Sequence, residues 1–203
     1  MSITEPVSST SPNGNTVTSR GVDPVISRFL RVRSMTDTLT SSLSPEDQTP
    51  QSMTDASPAK WHRAHVTWFF EEFILRRDPA YKVYDDTFRY LFNSYYEAVG
   101  ERHPRPDRGL VTRPGVRDVT RYREHVDAAM VDLLERGDLD EAALELVELG
   151  FNHEQQHQEL LLMDIKHLFS THAFAPVYVD RDVDESLPVQ PLSWRPFTGG
   201  VYE

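Results

Sequence analysis

No cysteine occurs in the 203 residues. That excludes disulfides, a thiolate nucleophile and any zinc or iron–sulfur site built on cysteine sulfur. A metal, if the chain holds one, must sit on His, Asp or Glu. Positive charge is also scarce: 21 Lys and Arg stand against 32 Asp and Glu, for a net charge of -11. Such an excess repels phosphate backbones and anionic lipid, so neither nucleic acid nor a membrane surface is expected as a partner. A local basic patch could still hold a small anion. No apolar run approaches the length needed to span a bilayer. Residues 1–21, rich in Ser, Thr, Pro, Asn and Gly over Met1 to Ser19, lack the hydrophobic region of a secretory signal. They cannot bury enough apolar surface to offset the entropy of ordering, and are expected to form a disordered leader. Cytoplasmic residence follows as the expectation.

Strand signals are missing too, and helical ones take their place. A first helix is predicted from Pro24 to about Leu43, with Asp23 as N-cap, proline at the first turn and Val25, Phe29, Val32, Thr36 and Leu39 at helical spacing. A second opens at Ser57-Pro58, read as cap plus N1 proline, and continues to about Arg77, where Asp78-Pro79 stops it. Trp61, His65, Trp68, Phe69, Phe73 and Leu75 make it apolar around most of its circumference, as a central helix requires. Tyr81 to Thr112 reads as a long irregular connection carrying Phe88, Tyr90, Phe92, Tyr95 and Tyr96, with a short extra helix at Asn93 to Val99 as the alternative. A third long helix spans Val116 to Gly137 on the stripe Val119, Tyr122, Val126, Ala129, Met130 and Leu133. Asp138 or Asp140 caps a fourth that reaches about Ser170. The tail from Ala173 holds four of the 14 prolines and no helical period. The expected fold is all-α: a four-helix bundle over residues 22–178, with a long crossover between the second and third helices and a linker at 179–203.

Chemistry concentrates at His153 and His157. Four residues apart on one helix, the two imidazoles lie one above the other and can share a metal ion at roughly 2 Å. The alternative is a solvent-facing polar stripe, since Glu154, Gln155, Gln156 and Gln158 surround them. Two ligands leave an ion under-coordinated. Of the eight histidines, His65 is the best third, because it sits mid-helix between Trp61 and Trp68; the alternative is a core histidine bonded to a backbone carbonyl. His62 is assigned to a different, exposed face. His103, His125, His167 and His172 read as structural or solvated. The pattern also spells H-E-x-x-H, the zinc-protease signature with Glu as general base. The extended form of that motif needs Gly and His where the sequence has Leu160 and Met163, and the helical chain offers a substrate no edge strand.

Four blocks in order, SPAKWHRAHVTWFFEEFIL (57–75), LFNSYYEAVG (91–100), RGLVTRPGVRDVTRYREHVD (108–127) and NHEQQHQELLLMDIKH (152–167), resemble the N-terminal domain of the EgtB family. These are the iron-dependent hercynine oxygenases (sulfoxide synthases) of ergothioneine biosynthesis. The resemblance covers about Val22 to Tyr178 and implies a DinB-like bundle. It implies that His65, His153 and His157 hold Fe(II), and that Gln156 contacts the trimethylated histidine substrate. It also implies that Arg105 and Arg108 grip the carboxylates of the sulfur donor, cysteine or γ-glutamylcysteine; the plainer reading of the pair is solvated loop arginines. Dioxygen would be the co-substrate. Family members continue into a further domain, similar to sulfatase-modifying enzymes, which supplies a wall of the pocket and a proton-donating tyrosine. The resemblance therefore places no catalytic proton donor in this chain, and implies a C-terminal domain or partner chain: a fragment, a short form or half of a split enzyme. Two other expectations stand beside it. One is a free-standing DinB-like thiol transferase using a divalent metal; the other is a non-catalytic bundle module.

Overall fold

The computed structural model describes residues 23–94, 96, 99–180 and 191–200. The predicted leader lies outside the described residues. Every regular element among them is helical, with no strand.

Helix α1 (Pro24–Thr40) starts where expected, the Asp23 carboxylate accepting from the Val25 N–H at 2.7 Å. It stops short of the predicted Leu43. Hydroxyls of Thr38, Thr40 and Ser41 turn back onto carbonyls three or four residues earlier, offering the backbone an alternative to continued helix. Helix α2 (Ala59–Phe73) is the central element, buried from Ala59 to Glu71 without a break. It begins later than predicted: Pro58 is the N-cap, and Ser57, expected to cap, spends its hydroxyl and its N–H elsewhere. A 3-10 turn (Leu75–Arg77) follows, and Asp78 turns extended ahead of Pro79.

The crossover contains a four-residue helix, α3 (Phe88–Leu91), and a 3-10 segment (Arg105–Leu110). The predicted alternative helix at Asn93 to Val99 falls partly on positions 95, 97 and 98, which lie outside the described residues. Tyr95 lies outside the described residues, while Phe88 and Phe92 are core residues packed against Tyr122. Helix α4 (Val116–Arg136) ends at Gly137, whose φ of 69° suits a residue without Cβ. Helix α5 (Glu141–Thr171) is capped by Asp140, which accepts from the Ala143 N–H at 2.8 Å.

Helices α1 and α2 each pack against both α4 and α5. The main core gathers Phe29, Trp68, Phe70, Tyr122, Met130 and Phe151 at this junction. Gly150 permits the close approach of α5 to α2: a Cβ there would lie 2.6 Å from Phe70 Cε1. Charge enters this interior as well. Arg33 and Glu154, 2% and 0% exposed, pair at 2.8 Å between α1 and α5. Arg33 also bonds Asp127 of α4, and Arg123 of α4 reaches Glu154. Residues 191–200 have no regular structure and are exposed along their length. No helix among the described residues is long and apolar enough to cross a membrane.

Candidate metal centre

Gly150 brings the mid-section of α5 against α2, and the histidines of both helices meet there. His153 Nε2 lies 3.1 Å from His65 Nε2. The ring centroids of His65 and His153 are 4.6 Å and 4.6 Å from that of His157. One ligand atom from each of the three rings falls within 4.8 Å of the other two. Nitrogens about 2.1 Å from a common ion and at right angles to one another stand about 3 Å apart, which is the separation seen between His65 and His153.

His65 is stacked between the indoles of Trp61 and Trp68, at 4.5 and 5.6 Å and 14° from parallel in both cases. These rings come from positions i−4 and i+3 of the same helix, so α2 builds this clamp locally. The backbone bond expected of a core histidine is present at His65. Its Nδ1 lies 2.6 Å from the Phe92 carbonyl and must donate to it. Nε2 is left with its lone pair turned toward His153. A carbonyl behind an imidazole is the usual means of holding a ligand ring in one tautomer and orientation.

Burial depresses the basicity of every ring here. It holds His65 well below the ordinary imidazole value, with His153 adding to the effect. It pushes His153 down to about 4. His157 is lowered by burial first, then by His65 and His62. Neutral imidazoles with convergent lone pairs are the donor form a metal needs. His153 turns Nε2 toward His65, so the donor atoms of these two rings face each other across the site. The residues present therefore fit a divalent ion, and His65, His153 and His157 could hold it.

His62 requires a correction. Expected on an exposed face, it is 3% exposed. Its Nδ1 lies 2.9 Å from His157 Nδ1 and its Nε2 2.9 Å from the Asp164 carboxylate. Three residues advance a helix by about 300°, so positions 62 and 65 are neighbours on one side. Neither His62 nor Asp164 was singled out from the sequence. The signal was there: i, i+3 on α2, and i, i+4, i+11 on α5 for His153, His157 and Asp164.

Glu154 has no place in the site. One step from His153, about 100° around α5, turns it toward α1, where Thr36 Oγ1 donates to it at 2.6 Å and Arg33 at 2.8 Å. A general base at the metal is not available from that position, and the protease reading of the motif falls with it.

A cleft of about 560 Å³ opens over the three histidines, and Gln156, Arg105 and Arg108 line it together with Trp61 and Tyr96. Gln156 is exposed at its wall. Arg108 is no solvated loop residue: it is 4% exposed, its guanidinium lies 3.4 Å over the Trp61 ring, and it donates to the hydroxyls of Ser57 (2.9 Å) and Ser94 (3.1 Å). Arg105 is exposed and donates to the Asp55 carbonyl.

The family model described as the DinB superfamily matches residues 28–168, from early α1 to the end of α5. The chain belongs to the DinB superfamily. The match takes in all three histidines and the whole crossover of this DinB-superfamily protein. No curated protein gave a significant match.

Proposed function

We propose that this DinB-superfamily chain is the metal-binding half of a non-haem iron(II) oxygenase. Its reaction joins the sulfur of cysteine or γ-glutamylcysteine to hercynine with dioxygen, giving a sulfoxide on the route to ergothioneine. The observation that carries the reading is a three-histidine cluster and two arginines sharing one cleft. The architecture is read as the DinB-like four-helix bundle with its crossover folded over that cleft. Iron, when bound, supplies electron transfer between a thiolate and dioxygen, which no side chain performs well.

The protein's own residues do the rest. His65, His153 and His157 would hold the ion from the floor of the cleft, leaving room there for further ligands. Being neutral, they leave its charge uncompensated, which favours an anionic thiolate. Arg108, fixed by its two hydroxyl partners and the Trp61 ring, presents a preorganised cation to a donor carboxylate. Arg105 adds a second at the rim. Gln156 faces the same space and is assigned to the imidazole substrate. The two indoles against His65 keep water from that flank. A proton donor is assigned to a further domain or partner chain, so the chain alone is expected to turn over poorly.

A second reading, a divalent-metal-dependent thiol transferase, draws on one observation. The histidines and both arginines all come from this chain, so an anionic thiol and a metal have a site without any addition. Metal content per chain tests the shared basis: about one ion is expected in the wild type and a loss in His65→Ala and His153→Ala. Unchanged content in both would sink either enzyme. Thiol-dependent oxygen uptake, measured with the completing domain supplied, then separates oxygenase from transferase.

A further inference from the structure

The hydrogen bonds behind His157 form a chain with one consistent direction. The Ser57 backbone N–H can only donate, and it does so to Asp164 Oδ2 at 2.8 Å. The same oxygen lies 2.9 Å from His62 Nε2, so His62 carries its proton there. A neutral His62 then has a lone pair on Nδ1. His157 Nδ1, 2.9 Å away, must supply the proton between them. That leaves His157 with Nε2 bare. His62 and Asp164 are 3% and 6% exposed, so water does not compete for these bonds. Each ring is also packed: His62 against the Trp61 edge at 5.7 Å, and His157 against His65 and His153.

We infer that Asp164 and His62 are positioning residues which lock His157 in the Nδ1–H tautomer, presenting its Nε2 lone pair to the metal. The inference rests on the metal-binding reading above for its purpose, but not for its geometry. It also gives His62 a role of its own rather than that of a fourth ligand. The Phe92 carbonyl does for His65 what this pair does for His157, so two of the three donors are set before any ion arrives. Such support behind a ligand typically changes metal affinity 10–100-fold.

The test uses the full chain, ¹⁵N-labelled at histidine and stripped of metal. Long-range ¹H–¹⁵N spectra should show His157 protonated at Nδ1 and bare at Nε2, with nitrogen–nitrogen coupling across the bond to His62. A His157 protonated at Nε2 would overturn the inference outright, and this arm needs no variant. His62→Phe keeps an aromatic ring and removes both nitrogens. It should release His157 to the other tautomer and weaken Ni²⁺ and Fe²⁺ binding by roughly 10–100-fold. His62→Asn, which sets an oxygen where Nδ1 stood, should recover most of that affinity; a ring needed only for packing would not be rescued this way. Equal affinity in wild type and His62→Phe also overturns the inference. If the wild type binds no metal at all, the function reading fails while the spectra still judge the hydrogen-bond relay.

Discussion

Glu154 separates two meanings of the H-E-x-x-H pattern, and its replacement by Leu gives them opposite outcomes. The carboxylate is 0% exposed and accepts from Arg33, Thr36 and Arg123. Removing it strands two guanidinium groups inside the helices, and breaking a buried ion pair from one side costs about 3–5 kcal/mol. Arg33 retains Asp127 at 2.7 Å and the Thr67 hydroxyl at 2.8 Å. The lower part of that range, about 3–4 kcal/mol, is therefore expected. For a chain of this size that lowers Tm by roughly 6–16 °C. Thermal denaturation of the metal-free protein followed by circular dichroism reads the shift. Exposed Gln155→Ala serves as control and should stay within about 0.5 kcal/mol of wild type. The folded fraction of Glu154→Leu should still take up one metal ion, because the residue faces away from the histidines. A Tm loss under about 2 °C together with lost metal or activity would refute the reasoning and restore Glu154 to the site.

Three further outcomes follow from the same geometry. Gly150→Ala drives a methyl group to 2.6 Å from a Phe70 ring that is 0% exposed; a cost of about 1–3 kcal/mol, with weaker metal binding as α5 is displaced from α2, is expected in melts and metal titrations. Acid should destabilise the metal-free chain. An unfolded His153 takes up a proton below about 6.5 while the folded ring waits until about 4. Stability therefore falls as pH drops through that window, and urea midpoints measured from pH 7 to pH 4 should decline. Finally, binding of Ni²⁺ or Co²⁺ should quench emission from Trp61 and Trp68, which stack on His65, and spare Trp194, which is 90% exposed; Trp68→Phe should reduce the quenchable part, and fluorescence titration checks it.

Much of the architecture was legible because its signals are local. Asp23 and Asp140 cap where a carboxylate before an apolar period should, and Gly137 ends α4 as a residue able to adopt positive φ. The His153 and His157 pair was visible as one turn of helix, and His65 by its place between two indoles. What escaped was long-range. Nothing in Arg33 or Glu154 announces burial, since each is tolerable inside only because the other arrives from 121 residues away. Ser57 looked like a cap because the Asp164 carboxylate that recruits its N–H lies 107 residues on. His62 shares a side of α2 with His65 because three residues turn a helix by about 300°, most of the way back to the start.

Main chain of the crossover reaches directly into the candidate metal centre. The Phe92 carbonyl that holds His65 belongs to no long helix; it is main chain at the end of α3, in the segment that also carries Arg108. Backbone cannot be altered by ordinary side-chain exchange, so this restraint survives most point substitutions. It yields only to movement of the loop itself.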